Sequence, residues 1–498
     1  LNGSPIYLKL RAVAGLSKLV LAAALAVAPT AARPLLTDDA VRTEVDHLIA
    51  AIAASRHLTY HGTLPLRVLD RVEAAREAAR LNDLADADPS ARADTEILRR
   101  LGLVAPSRAD AEWEGDGADD SAPRFDAVTG RLWVPGFVSL DAQRIALTHE
   151  VAHAAADQRF SLRRLMEINP EGRSRLSGDA RRARLALVEG DAMLTGLEVL
   201  DPRESFLGTT ELTGLAAKLR ASAAPEGSGG WGAALAGFTH VDGLLFVARA
   251  RRHRPWSAVD ALWTDPPSST EAILHPEKYE SCEAPVAVEP SSLPALPGLG
   301  RAAASDVVGE LAIRAWLSSA WSADIAARAA AGWGGDRAGL YEAPPGDADA
   351  GAPPRSTALA WLTVWDDAGE ADDFAHAARR VLERQAVQSG TLEGFPNPPA
   401  TTPLGKAQLR QRDQGVTEPA TEQERPDGVI FSSSRGLYGL VRRGDAVALL
   451  VAAPEGSEPA LEAMLAGRRP EPSRRAASRP RPSTPPGCRR RDRAAGPE

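Results

Sequence analysis

The HExxH element formed by His149, Glu150 and His153 constrains this chain more than any other feature. It lies inside Arg144–Phe160, RIALTHEVAHAAADQRF. The spacing is useful only on a helix, where side chains at i and i+4 share a face with Cβ atoms about 6 Å apart. Two imidazoles so placed can grip one Zn²⁺. Glu150 directly follows the first of them, so it can stand beside a metal-bound water without binding the metal and take a proton as that water attacks a carbonyl. The competing reading is a pair of structural histidines; with 9 His in the chain, an accidental HExxH is expected on the order of one per cent of the time. The flanking sequence predicts the helix. Asp141 is the expected N-cap, and Ile145, Ala146, Val151, Ala152, Ala155 and Ala156 form a small apolar surface without Gly or Pro.

At 498 residues there is room for two or three domains with their own cores. The formal net charge is -8, yet Gly467–Glu498 carries ten arginines against three acids, which leaves the rest of the chain at -15. An acidic body without a basic stripe argues against nucleic acid as a partner. Lys9, Arg11 and Lys18 precede the apolar run Leu19–Ala28, and small residues follow at Thr30, Ala31 and Ala32. That run is short for a bilayer and suits an export signal, so residues 1–32 are read as a signal peptide, with an uncleaved anchor as the alternative. The expected location is periplasmic, cell-surface or secreted, without a stable membrane span beyond the signal. Only Cys282 and Cys488 occur, which excludes a disulfide scaffold and a Cys-rich zinc site.

Along the chain, 33–110 reads as an N-terminal helical region. Val41, Val45, Leu48, Ile49 and Ile52, then Leu66, Leu69 and Val72, then Ile97, Leu98 and Leu101, recur at helical steps, and Gly102 is the expected stop. Glu112–Ser121 is an acidic, turn-like stretch without EF-hand spacing. Phe125–Val138 predicts two short strands about Thr129-Gly130, an edge along which an extended peptide could lie. Asp179–Leu200 is again helical, with Glu189 at the margin of its apolar face. A zinc held by two histidines needs a further ligand, and a carboxylate from a later helix commonly supplies it. Glu189 is the chosen ligand, ahead of Asp191 and Glu198, with Asp191 expected to orient an imidazole from outside the ligand set.

With these segments in hand, the chain resembles the gluzincin zinc metallopeptidases, and most closely exported bacterial and archaeal HExxH proteins. HEVAHAAADQRF, LVEGDA and STEAILHPEKY carry the resemblance, and GLLFV and GWGGDR extend it less sharply. It covers roughly Glu96 to Phe374. It implies His149, His153 and Glu189 as Zn²⁺ ligands and Glu150 as the base. Two positions depart from the pattern: Phe125 and His240 stand where similar sequences carry Tyr. Such a protease needs a donor near the oxygen that becomes anionic. His240 is the candidate for that catalytic role, with His275 and Tyr279 as rivals, and a helix-capping histidine as the bland alternative.

The expected fold is α+β and mainly α. A zincin-like metallopeptidase domain over 111–280, with a short edge strand or hairpin before the HExxH helix, is followed by a Pro-rich linker, 281–300. A smaller α+β domain spans 301–466 and an Arg/Pro-rich disordered tail 467–498. Within 301–466, Val307–Ala331 reads as helix, Ala358–Val364 as strand, Ala371–Gln385 as helix and Gly436–Ala453 as two strands. Ser389–Gly428 reads as a long loop. The function this implies is an exported zinc-dependent peptidase acting on a peptide or protein substrate. The rival from another class is a non-catalytic, zinc-containing envelope or surface protein that binds a partner, and a third is a zinc hydrolase of a non-peptide amide.

Overall fold

The computed structural model describes residues 36–77, 89–104, 121–169, 173–200, 209–223, 230–343, 357–387 and 420–466. The signal segment, the acidic stretch at 112–120, most of the loop at 389–428 and the tail lie outside the described residues. What is described is α+β, with one three-stranded and one seven-stranded sheet.

The N-terminal region yields helix α1 (Asp38–Arg56), strand β1 (Leu66–Leu69) and helix α2 (Pro89–Arg100). Thr37 caps α1 by accepting the Ala40 N–H, Asp38 and Asp39 face the positive end of its dipole, and His57 at φ 60° stops it. Val41, Val45, Leu48 and Ile52 are buried along one stripe. Leu66–Leu69, helical by spacing, is a strand because it pairs in parallel with β3 (Arg131–Pro135), from Leu66↔Leu132 to Leu69↔Pro135. Four residues are too few for a period to outweigh a ready partner strand. β2 (Arg124–Asp126) pairs antiparallel with β3 and forms one edge of the sheet. Gly130, at φ 63°, makes the turn between them.

The HExxH helix, α3 (Leu140–Phe160), starts one residue after Ser139, so Asp141 falls in its first turn rather than at the cap, where its charge still favours the helix. Ile145 remains 49 % exposed. The Asp157-Gln158 pair ends the element. Asp157 Oδ1 accepts the Leu162 N–H at 2.8 Å, while Gln158 both accepts from and donates to the His61 backbone, at 2.6 and 3.0 Å. α4 (Gly178–Leu200) then crosses the first core. α5 (Trp231–Arg251) has the length and apolarity of a membrane span, and it packs Phe238, Val241, Leu244 and Val247 into that same core.

The helices α6 (Ser257–Thr264) and α7 (Thr270–Leu274) complete this half. The HPEKY segment fastens it to the rest: Lys278 pairs with Glu271 and, at 2.6 Å, with Asp366, and the Tyr279 hydroxyl donates to the Asp265 carbonyl. Cys282, just beyond, is disulfide-bonded, and the only other cysteine, Cys488, lies outside the described residues.

The seven-stranded sheet is antiparallel throughout, in the order β4-β5-β6-β10-β9-β8-β7. Its strands are β4 (Ala304–Asp306), β5 (Trp333–Glu342), β6 (Thr357–Trp365), β7 (Thr421–Arg425), β8 (Gly428–Ser433), β9 (Gly436–Arg443) and β10 (Ala446–Ala453). Alternation along β6 divides two cores. Leu359, Trp361 and Trp365 face the helices α8 (Gly309–Ser318), α9 (Ala323–Ala330) and α10 (Ala368–Val387); Ala358, Ala360, Leu362 and Val364 face α11 (Pro459–Leu465) and the strap at 286–302.

Three sequence expectations change here. Val307–Ala331 is two helices, broken at Ser319–Ser322, rather than one. Thr421–Arg425, read as part of the long loop Ser389–Gly428, is strand β7, because it pairs antiparallel with β8. Ile97, Leu98 and Leu101, read with the N-terminal region, belong to the core on the helical face of the large sheet.

Candidate metal centre

Two helices bring the three expected ligands together. Helical spacing on α3 sets His149 Nε2 and His153 Nε2 2.9 Å apart, and α4 delivers Glu189 Oε2 to 3.1 Å from the first and 3.4 Å from the second. These three atoms lie within 3.4 Å of one another and form a group able to hold a metal ion. All three residues are buried, Glu189 completely. The donor set fits the ion: two imidazole nitrogens and a carboxylate are ligands zinc accepts, and Glu189 Oε1 is buried without a hydrogen-bond partner.

The electrostatics follow from burial. Burial alone would lower the His153 imidazole, but Glu189, with Glu150 and Asp191 behind it, raises it to about 8. Burial pushes the Glu189 carboxyl up, and the charge of His153 together with the hydrogen bonds of His149 and His153 overcomes this, holding it well below the usual carboxylate range.

Glu150 Oε2 accepts the Phe125 N–H at 2.7 Å, so edge strand β2 fixes the carboxylate beside the ligand pair. This contact was not legible in the sequence, because a backbone amide carries no residue-type signal.

His240 arrives from α5 through a π-helical turn, Gly237–Asp242, a local widening of the helix often found at functional sites. Its Nε2 lies 3.4 Å from Glu189 Oε2, and its ring stacks at 6.3 Å on that of His149. Nδ1 lies 3.0 Å from the Ala236 carbonyl, which can only accept; the ring hydrogen therefore sits on Nδ1, and the neutral ring presents a lone pair at Nε2. Burial foremost, with Glu189 opposing it, lowers this imidazole to about 4. A donor role for His240 thus requires a second proton on the ring. Its rivals are elsewhere: His275 Nε2 meets Glu310 at 3.0 Å, and Tyr279 is committed to Asp265.

Asp191 differs from its expected role. It touches no imidazole; it takes both ends of the Arg56 guanidinium at 2.9 Å, the Trp263 indole N–H at 2.8 Å and the Thr195 hydroxyl. Arg56 also reaches Asp260 at 2.7 Å and lies over the Trp256 ring. The network ties α1 and α6 to the helix that carries Glu189. Nothing in the sequence around Arg56 announces it, since its partner is 135 residues away.

The glycines of the EGDA and GLLFV segments have a steric reason. A Cβ on Gly190 would stand 2.2 Å from the Gly243 carbonyl oxygen, and one on Gly243 would stand 2.1 Å from the Ala186 oxygen. Backbone contact between α4 and α5 is what sets His240 beside Glu189. Gly243→Ala is therefore expected to cost at least about 1–3 kcal/mol, as overpacking does, and to loosen His240. Urea unfolding checks the first part; an unchanged midpoint would mean the two helices separate without cost.

A family model described as a domain of unknown function (DUF8575) matches residues 296–417, from the end of the strap through β4, α8, α9, β5, β6 and α10, and does not reach His149, His153 or Glu189. No curated protein and no solved structure matches the chain.

Proposed function

We propose that the protein is an exported, zinc-dependent peptidase of the gluzincin type, with a zincin-like catalytic half. The observation that carries this reading is the meeting of His149, His153 and Glu189 from separate helices, with Glu150 held beside them by a strand amide. Zn²⁺, when bound, supplies a Lewis acid that polarises the scissile carbonyl and makes water acidic enough to attack it near neutral pH. The chain supplies the rest. His149, His153 and Glu189 hold the ion; Glu150 accepts the proton of the attacking water and returns it to the departing amine. The Phe125 N–H keeps the Glu150 carboxylate aimed. Of the three donor candidates His240 stands nearest the ligand set, but its neutral ring, with the hydrogen on Nδ1, has no proton at Nε2 to offer the carbonyl oxygen, so the donor role is not assigned to it.

The test is metal removal. One zinc per chain is expected, with cleavage of a peptide library that stops on chelation and returns with added Zn²⁺. Stoichiometric zinc without cleavage of any peptide would turn the assignment to the non-catalytic binding protein, and absence of bound metal would remove both.

A further inference from the structure

We propose that the joint between the metal-bearing half and the seven-stranded sheet is a proton-dependent latch, in which Asp179 gains and loses the proton. Asp179 stands in the first turn of α4, ten residues before Glu189, and is 1 % exposed. It packs directly on the start of α8: a Cβ on Gly309, at φ +79°, would fall 1.8 Å from Asp179 Oδ1. Its donors are neutral. The Thr270 hydroxyl reaches it at 2.6 Å and the Thr270 N–H at 3.2 Å, and that hydroxyl in turn accepts the Leu311 N–H at 3.1 Å.

The surrounding charges explain why this carboxylate is the one left over. Four buried acids, Asp94, Asp179, Asp306 and Asp336, meet two guanidiniums, Arg181 and Arg182. Arg182 spends Nη1 on both oxygens of Asp94, at 2.9 and 3.0 Å, and Nη2 on the Val308 carbonyl at 2.9 Å. Arg181 lies 3.6 Å from Asp94 and 3.8 Å from Asp306. Asp306 also accepts the N–H groups of Gly178 and Val307. Asp336 accepts the N–H groups of Val308 and Gly309 and the Trp333 indole. Other acids on the packed elements have their own cations: Glu96 pairs with Arg99, Glu271 with Lys278, and Glu310 with His275 and Arg314. Among the described residues no guanidinium forms an ion pair with Asp179.

Burial pushes the Asp179 carboxyl up to about 7, with Arg182 and Thr270 opposing and Asp336 adding to the rise. A carboxyl raised on folding contributes stability that is complete below its unfolded value near 4 and is lost as pH climbs through about 7. The latch is therefore closed in mild acid and strained in mild base. A negative charge then sits unpaired where α2, α4, α7 and the β4–α8 turn meet.

Amide hydrogen exchange of the full chain tests this, read on peptides that cover Thr270 and Val308–Leu311 and corrected for the intrinsic pH dependence. Between about pH 6 and about pH 8.5, protection there is expected to fall more than about tenfold in the parent and to stay level in Asp179→Asn, with the β8–β9 hairpin unchanged in both. Infrared difference spectra of the parent should show a protonated-carboxyl band lost over the same range, a readout that holds even where the Asn variant does not fold. Equal protection at both pH values in the parent, an equal fall in the Asn variant, or no such band would overturn the proposal.

Discussion

Glu150→Gln is expected to lower peptide hydrolysis by a factor on the order of 10²–10⁴ while leaving bound zinc unchanged. The amide keeps an oxygen that can accept the Phe125 N–H, so strand β2 and helix α3 retain their contact. What the variant lacks is basicity: it cannot take the proton of the attacking water nor return one to the amine. The ligands His149, His153 and Glu189 are untouched, so metal content separates the two roles. Initial rates on the best peptide of the library, beside zinc counted per chain, make the measurement. A glutamine variant as fast as the parent would end the assignment of Glu150 as base and leave the metal assignment standing.

The second large effect is on stability. Arg56→Ala is expected to cost about 3–5 kcal/mol, because it leaves the Asp191 carboxylate buried without its cation. Arg56 is 0 % and Asp191 2 % exposed, so solvent does not screen the pair. Both oxygens of Asp191 are engaged by the planar guanidinium, a geometry that lysine cannot reproduce, and Arg56→Lys should recover only part of the loss. Denaturant unfolding of Arg56→Ala, Asp191→Ala and the double variant closes a cycle. The double variant should lose much less than the two single losses combined. Simple additivity would show that the pair is not coupled, against the geometry.

The two effects live on different links of the chain from sequence to function. In the proposed reaction Glu150 acts at the reacting atoms. Arg56 acts through Asp191 on the helix that carries Glu189, two residues before Asp191, so its loss is felt first as stability and only then as ligand geometry.

By itself the sequence determined the local facts of this protein. The i,i+4 spacing puts His149 and His153 on one helical face, and that face is a property of the α-helix, not of the fold. Strong periodicity likewise marks α1, α10 and the β9–β10 hairpin, whose turn at Gly444 sits at φ 61°. Glu189 was legible as a candidate because a two-histidine site calls for a further ligand and a helix with few carboxylates follows.

Only the tertiary structure decided what depends on distant partners. Leu66–Leu69 is a strand because β3 lies beside it, and Asp191 serves Arg56 rather than an imidazole because α1 passes there. Phe125 holds Glu150 through a backbone amide, and Gly190 and Gly243 are small because two helices touch at their backbones. The surplus of buried carboxylates around Asp179 arises from four segments far apart in the chain. Local spacing fixes the direction of a side chain within its own element; which group it meets is set by how elements pack, and burial then turns those meetings into the energies and proton affinities described above.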